Sequence, residues 1–159
     1  MPDPQDKQAL REALGAFATG VTIVTARGGD GEPTGFTANS FTSVSLEPPL
    51  LLVCLAHKAR SYEIFRAADS FAVNVLAAEH EETAKRFATS GADKFGQTEW
   101  RPGLRGAPLI RGCLARFDCA MHQRVTAGDH DILMGEVLGF SRHEGQALVY
   151  HSGAFRRLG

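Results

Sequence analysis

The chain has 159 residues, a length that favours a single domain at about 100–200 residues per domain. Its 43% hydrophobic content can fill a core, and 22% charged residues with ten Phe exclude a disordered chain. Seventeen Lys+Arg against eighteen Asp+Glu leave a formal charge of −1, which argues against a nucleic-acid partner, because counterion-release binding needs a basic face.

From about Asp6 to Ala18, Leu10, Leu14 and Phe17 recur at i, i+4, i+7 and predict an amphipathic helix that Gly20 ends. VTIVTA (Val21–Ala26) predicts a strand, GGDGEP a turn, and Thr34–Ala38 the second strand of a hairpin. Asn39–Glu47 is rich in Ser and Thr and stops at Pro48-Pro49. Leu50–Ala56 is a continuous apolar run of strand length, expected as a central strand buried on both faces. Two short helices, Ala59–Ala68 and Glu79–Ala88, flank the strand Phe71–Leu76, and Ala84, Phe87 and Ala88 are expected to face inward. Ser90–Gly106, with Gly91, Gly96, Pro102, Gly103 and Gly106, reads as a surface excursion. Cys113–Met121 alternates apolar odd positions with Arg116 and Asp118, the pattern of a strand with one buried and one wet face. A turn at Ala127–His130 leads to the strand Ile132–Phe140, and one at His143–Gln146 leads to Ala147–His151. Strands outnumber helices and their short connections suit antiparallel pairing. The fold class is mainly β with a few helices, a barrel rather than a doubly wound sheet.

Cys54, Cys113 and Cys119 sit among apolar neighbours and read as buried free thiols, not a disulfide framework. No CxxC or Cys/His ligand spacing occurs, so no metal site is expected. The N-terminal stretch has acids where a signal peptide carries bases, and the longest apolar run, Leu50–Ala56, is far shorter than a span of about 20 residues. A cytoplasmic protein with no membrane association is expected. P-loop, GxGxxG and GxSxG motifs are missing, and no carboxylate pair of the glycosidase kind is identifiable. An enzyme of this composition would borrow its chemistry from an organic cofactor.

Three stretches could carry that chemistry. Thr34–Ser45 concentrates hydroxyls, an amide and a glycine where a strand leaves the sheet. It is either a set of neutral donors for a phosphate or a turn whose hydroxyls bond their own backbone. Ala56-His57-Lys58-Ala59-Arg60-Ser61 places cations and a hydroxyl between a strand and a helix, suited to an anion or to solvent. In Gly128-Asp129-His130-Asp131 the histidine is flanked by two carboxylates that would favour its charged form. His80 is expected on a helix surface, His122 on the polar face of a strand and His143 in a turn.

Taken together, GFTANSFTSVSLEPPLLLVCL, HKARSYEIF, FAVNVL, GDHDILMGEV and the closing LVYHSGAFRRL resemble the flavin reductase-like, FMN-binding split-barrel family. The similarity is closest to short-chain NAD(P)H:flavin oxidoreductases that serve two-component monooxygenases. It covers about residues 17–158 of one domain spanning 1–159, after the N-terminal helix at about 6–18. The resemblance implies a homodimer of Greek-key split β-barrels using FAD or FMN with NADH or NADPH, and a separate monooxygenase that receives reduced flavin. It maps Thr37, Ala38, Asn39 and Ser40 onto the flavin phosphate and ribityl chain, and Cys54, Leu55 and Ala56 along the isoalloxazine ring. Lys58 and Ser61 would assist at the phosphate, and Arg86, Phe87 and Ala88 match a helix-end contact to the ribityl-phosphate or adenine side. His130 would face the nicotinamide as the catalytic residue, with Tyr150 and His151 shaping that pocket. The closing segment YHSGAF departs from the family where an aromatic or Arg is common, which touches His151 and Phe155. Arg60, Arg124, Arg142 and Arg156 are each candidates for a 2′-phosphate contact. The competing readings are an FMN-dependent oxidase on the same fold, a non-enzymatic flavin- or haem-binding barrel, and an interaction module without a small ligand.

Overall fold

The computed structural model describes all 159 residues. Helix α1 (Lys7–Gly15) begins where the Asp6 carboxylate accepts a hydrogen bond from the Ala9 amide at 3.1 Å. Strands β1 (Thr19–Gly20), β2 (Thr22–Arg27), β3 (Pro33–Ala38), β4 (Thr42–Leu46) and β5 (Pro49–Ala56) follow. After α2 (Tyr62–Ala67) and β6 (Ser70–Val75), a short 3₁₀ turn precedes α3 (Glu81–Ala88). The rest is strand: β7 (Trp100–Pro102), β8 (Pro108–Ile110), β9 (Ala115–Ala127), β10 (His130–Arg142), β11 (Leu148–His151) and β12 (Ala154–Arg157).

Seven strands pair antiparallel in the order β3-β2-β6-β9-β10-β5-β4. The two end strands do not pair with each other, so the barrel is split. It nevertheless curls round one core: Val24 and Ala38 from one end pack in the same cluster as Leu51, Val53 and Leu55 from the other, with Phe65 of α2 and Phe71 of β6. A second cluster lies outside β2, where Val21 and Ile23 meet Ala84 and Phe87 of α3, Ile110 and Leu148. A three-stranded sheet, β1-β11-β12, and a β7-β8 hairpin complete the outer layer.

The doubly covered strands are therefore β2 and β6, not the apolar run that sequence pattern marked. In β5 burial alternates: Leu51, Val53 and Leu55 enter the core, while Leu52, Cys54 and Ala56 stay half-exposed. Helix α3 and β8 cover the outside of β2 and β6, whereas β5 is left open. Its apolar outer face is the floor of a cleft.

The side chains of Thr22, Thr25 and Asn74 on β2 and β6 are buried and satisfied, as a low-dielectric interior requires. Asn74 donates to the Ile23 carbonyl at 3.1 Å and accepts from the Ile110 amide at 2.8 Å, while Thr25 donates to the Pro108 carbonyl at 2.6 Å. Other expectations also shift. The Ser/Thr stretch contains β4, the glycine-rich excursion contains β7 and sends Phe95 against Phe87, and Ala88 is exposed. His80 is half-buried, its Nδ1 accepting from the Ala77 amide at 3.0 Å. The apolar stripe of α1 is left largely exposed: Leu10, Leu14 and Phe17 are 47%, 67% and 78% exposed. No helix is long and apolar enough to cross a membrane.

Candidate active site

A cleft of about 430 Å³ opens over the end of β5, within the range of about 300–1,000 Å³ that small-molecule sites occupy. Its wall brings together Thr37, Ala38, Asn39, Ser40, Cys54, Leu55, Ala56, Ser61, Phe87, Ala88 and His130, all singled out from sequence. They come from the ends of β3, β5, α3 and β10 and the connections beside them, and the strand register explains the meeting: His130 pairs with Ala56, and the His57 amide continues the ladder to the Asp129 carbonyl at 2.9 Å. The β9–β10 connection is a two-residue turn with Gly128 at φ +60° in its first central position, the left-handed geometry that suits strand twist and that glycine adopts freely.

The hydroxyls divide between ligand and scaffold. Thr37 donates to the Ala84 carbonyl at 2.6 Å, fastening β3 to α3. Ser40 accepts from the Cys54 amide at 2.9 Å and so ties the β3–β4 connection to the cleft floor. Ser61 is buried and stands before α2 without making a capping bond; its hydroxyl is left to the cleft.

Two cations that the sequence reading did not place with the flavin line the same wall, Arg60 and Lys94. Burial, then the nearby Arg60 charge, pushes the Lys94 ammonium below its ordinary range. An anion beside both would relieve that repulsion. Arg86, by contrast, lies outside the wall and holds the loop carrying Lys94: it donates to Thr98 Oγ1 at 2.8 Å, which itself donates to the Lys94 carbonyl at 2.8 Å. Lys58 is exposed and also outside the wall. Tyr150 lines a neighbouring cleft of about 640 Å³ that shares Thr37, Ala38, Asn39 and Ala88 with the first and adds Lys85 and Phe155; His151 lines neither. Of the arginines considered for a 2′-phosphate, only Arg60 reaches the cleft. Arg124 donates to the Phe65 and Ala68 carbonyls, Arg142 pairs with Glu144, and Arg156 donates to the His151 carbonyl.

The two carboxylates beside His130 behave differently. Asp129 contacts its Nδ1 at 2.7 Å, and that hydrogen bond holds the Asp129 carboxyl below its usual range. Asp131 turns to the opposite face of β10, as strand alternation demands, so it does not flank the imidazole. There it accepts from His57 at 2.7 Å, Tyr62 at 2.9 Å and Thr126 at 3.0 Å. The His57 bond, the largest influence, holds the Asp131 carboxyl low. Its native pKa lies below the unfolded value of about 3.9, so its stabilisation is complete above that value and is lost as pH falls through the native one. Asp131→Asn should therefore cost stability at about pH 5 and progressively less towards pH 3; urea midpoints at both pH values check the narrowing gap. Cys54 lines the cleft, correcting the expectation that all three thiols are buried. Burial pushes the other two, Cys113 and Cys119, up to about 12.

The geometry defines a class: an open antiparallel split barrel whose strand ends form a cleft with an apolar floor, cations and a histidine, and no nucleophile–base pair. Comparison with known proteins agrees. Residues 14–159 match the flavin reductase like domain, and the chain belongs to that family. It is 47% identical over 146 residues to the reductase component of the flavin-dependent trigonelline monooxygenase of Acinetobacter baylyi, covering 92% of this chain and 47% of that protein. It is 44% identical over 162 residues to the NADH-dependent FAD reductase of Streptomyces globisporus, covering 98% and 88%. The solved structure of the Streptomyces globisporus C-1027 NADH:FAD oxidoreductase in complex with NAD and FAD fragments superposes with a TM-score of 0.94 at 43% identity, covering 100% of this chain and 96% of that one. The chain thus spans about half the length of some relatives and nearly all of others.

Proposed function

We propose that the chain is an NAD(P)H:flavin oxidoreductase that moves hydride from NADH or NADPH to FAD or FMN and supplies reduced flavin to a separate monooxygenase component. The observation that carries this reading is the cleft itself: an apolar strand floor beside Arg60 and Lys94, in a wall where no thiol or hydroxyl is hydrogen-bonded to a base. Those residues fit a flat apolar ring bearing a phosphate. Bound flavin would supply the hydride acceptor, which no side chain here can be. Cys54, Leu55 and Ala56 support the ring; Thr37–Ser40, Ser61, Arg60 and Lys94 address the ribityl-phosphate. His130 orients the nicotinamide and shields the reacting faces from water. NADH oxidation with added FMN, FAD or no flavin tests the reading. Turnover that rises with added flavin supports it, and a coloured protein that consumes neither NADH nor NADPH supports the carrier reading instead.

His130→Ala should lower kcat about tenfold while flavin affinity stays within about twofold, the loss of one orienting hydrogen bond. Lost flavin binding with normal turnover per bound flavin would remove that role. The protein is further read as a cytoplasmic homodimer. Leu46 at 93% and Phe140 at 76% exposure, with Val44 and Leu138, offer an apolar surface on β4 and β10 of the kind that subunits cover. Leu46→Lys with Phe140→Lys should sediment as a monomer where the parent sediments as a dimer.

A further inference from the structure

We infer that Asp131 is a positioning residue: through His57 and Tyr62 it fastens both ends of the turn at 57–62, and so sets Arg60 and Ser61 against the cleft. The inference rests on the reading of that cleft as a flavin site.

Besides the His57 amide bond to Asp129 and the packing of Ala59 and Tyr62 against the core, the turn has few ties of its own. Ser61, in the position that would cap α2, makes no capping bond, and α2 is only six residues long. Within the turn itself the backbone bonds run from Ala59 to Ala56 and from Tyr62 to Ala59, both at 3.1 Å. At its start His57 Nε2 meets Asp131 Oδ1 at 2.7 Å, and at its end the Tyr62 hydroxyl donates to Oδ2 at 2.9 Å. The two rings also contact each other edge to face, with centroids 5.1 Å apart. The carboxylate is 6% exposed, so its charge must be met by fixed donors rather than by water. Thr126 of β9 supplies the third donor at 3.0 Å. One buried anion therefore joins β9, β10 and the turn.

The register gives this arrangement its functional reach. Asp131 follows His130 in β10, and the two point to opposite faces. His130 lines the cleft; Asp131 anchors the turn that carries Arg60 and Ser61 to the same cleft. The phosphate-facing group and the nicotinamide-facing group are thus referred to adjacent residues of one strand. Loosening the turn should weaken recognition of a phosphate, because Arg60 and Ser61 move, and spare the ring, because its floor belongs to β5.

The test compares FMN with riboflavin, which lacks the phosphate, in His57→Ala, His57→Gln and Tyr62→Phe. His57→Ala should raise the KM for FMN about tenfold, the worth of one charge-assisted hydrogen bond, and leave kcat and the KM for riboflavin within about twofold. His57→Gln, whose amide can donate to the same carboxylate, should recover most of the loss. Tyr62→Phe, which removes a single oxygen, should shift FMN in the same direction and decides the matter if His57→Ala does not fold. Equal rises for both flavins, or an FMN KM unchanged in both His57→Ala and Tyr62→Phe, would overturn the inference. A parent protein that binds neither flavin brings down the reading of the cleft instead. Amide hydrogen exchange then decides about the clamp alone: His57, Ala59 and Tyr62 should exchange faster in Tyr62→Phe, and unchanged rates overturn it.

Discussion

A chain carrying Arg60→Ala and Lys94→Ala together will bind FMN about 100-fold more weakly, while its affinity for riboflavin stays within about threefold. Each cation offers a phosphate a charge-assisted contact worth about 1.5–3 kcal/mol, and the lower end applies because Arg60 is exposed. Lys94 is held where it can act: its ammonium reaches the Gly35 carbonyl at 3.3 Å, and Arg86 fixes the loop behind it. Burial and the Arg60 charge favour its neutral form, so FMN affinity should fall on the alkaline side earlier than for an ordinary lysine. Fluorescence titration of both flavins across pH measures all three effects. Equal losses for FMN and riboflavin would mean that the cations shape the cleft rather than hold a phosphate.

The largest effect on stability is expected at Gly135. A Cβ there would stand 2.6 Å from Phe71 Cζ and 2.8 Å from Cys119 Cβ, and both neighbours are fully buried. The position lies at a register shift of the β9–β10 ladder, where the sheet lets an aromatic ring lie against bare backbone. Gly135→Val should cost about 3 kcal/mol through overpacking, lowering Tm by about 10 °C for a chain of this size. Gly135→Val combined with Phe71→Leu should cost less than the sum of the two single changes, since the two share one space. A Gly135→Val protein that melts within about 2 °C of the parent would show that the ring has room to retreat.

How far the sequence foretold this molecule depended on whether a signal was local. Period-2 alternation marked β9, and the Gly-Asp pair marked the turn before His130, because each follows from neighbouring residues. The apolar run in β5 misled for the same reason: pattern reports that a strand has two apolar faces, not that the barrel core takes one and leaves the other to an open cleft. Arg60 and Lys94 come to one wall only through tertiary packing, and Lys94 sits in a glycine-rich stretch with no periodic signal. Asp131 was visible beside His130, but its partners His57 and Tyr62 lie on another element. The stripe of Leu10, Leu14 and Phe17 was legible as a helix face, and its exposure was not, since nothing local says what a face packs on.

The wall of the cleft is assembled from the ends of β3, β5, α3 and β10 and from the turns beside them, segments scattered from Phe36 to His130. No single element contains it, so it exists only when the barrel is formed. A ligand that fills it binds the folded state alone, and at about a hundredfold excess over its Kd it adds about 2.7 kcal/mol to the unfolding free energy. On the proposed reading that ligand is flavin, and the free flavin concentration would then set the protein's lifetime against heat and proteases as well as its rate of turnover.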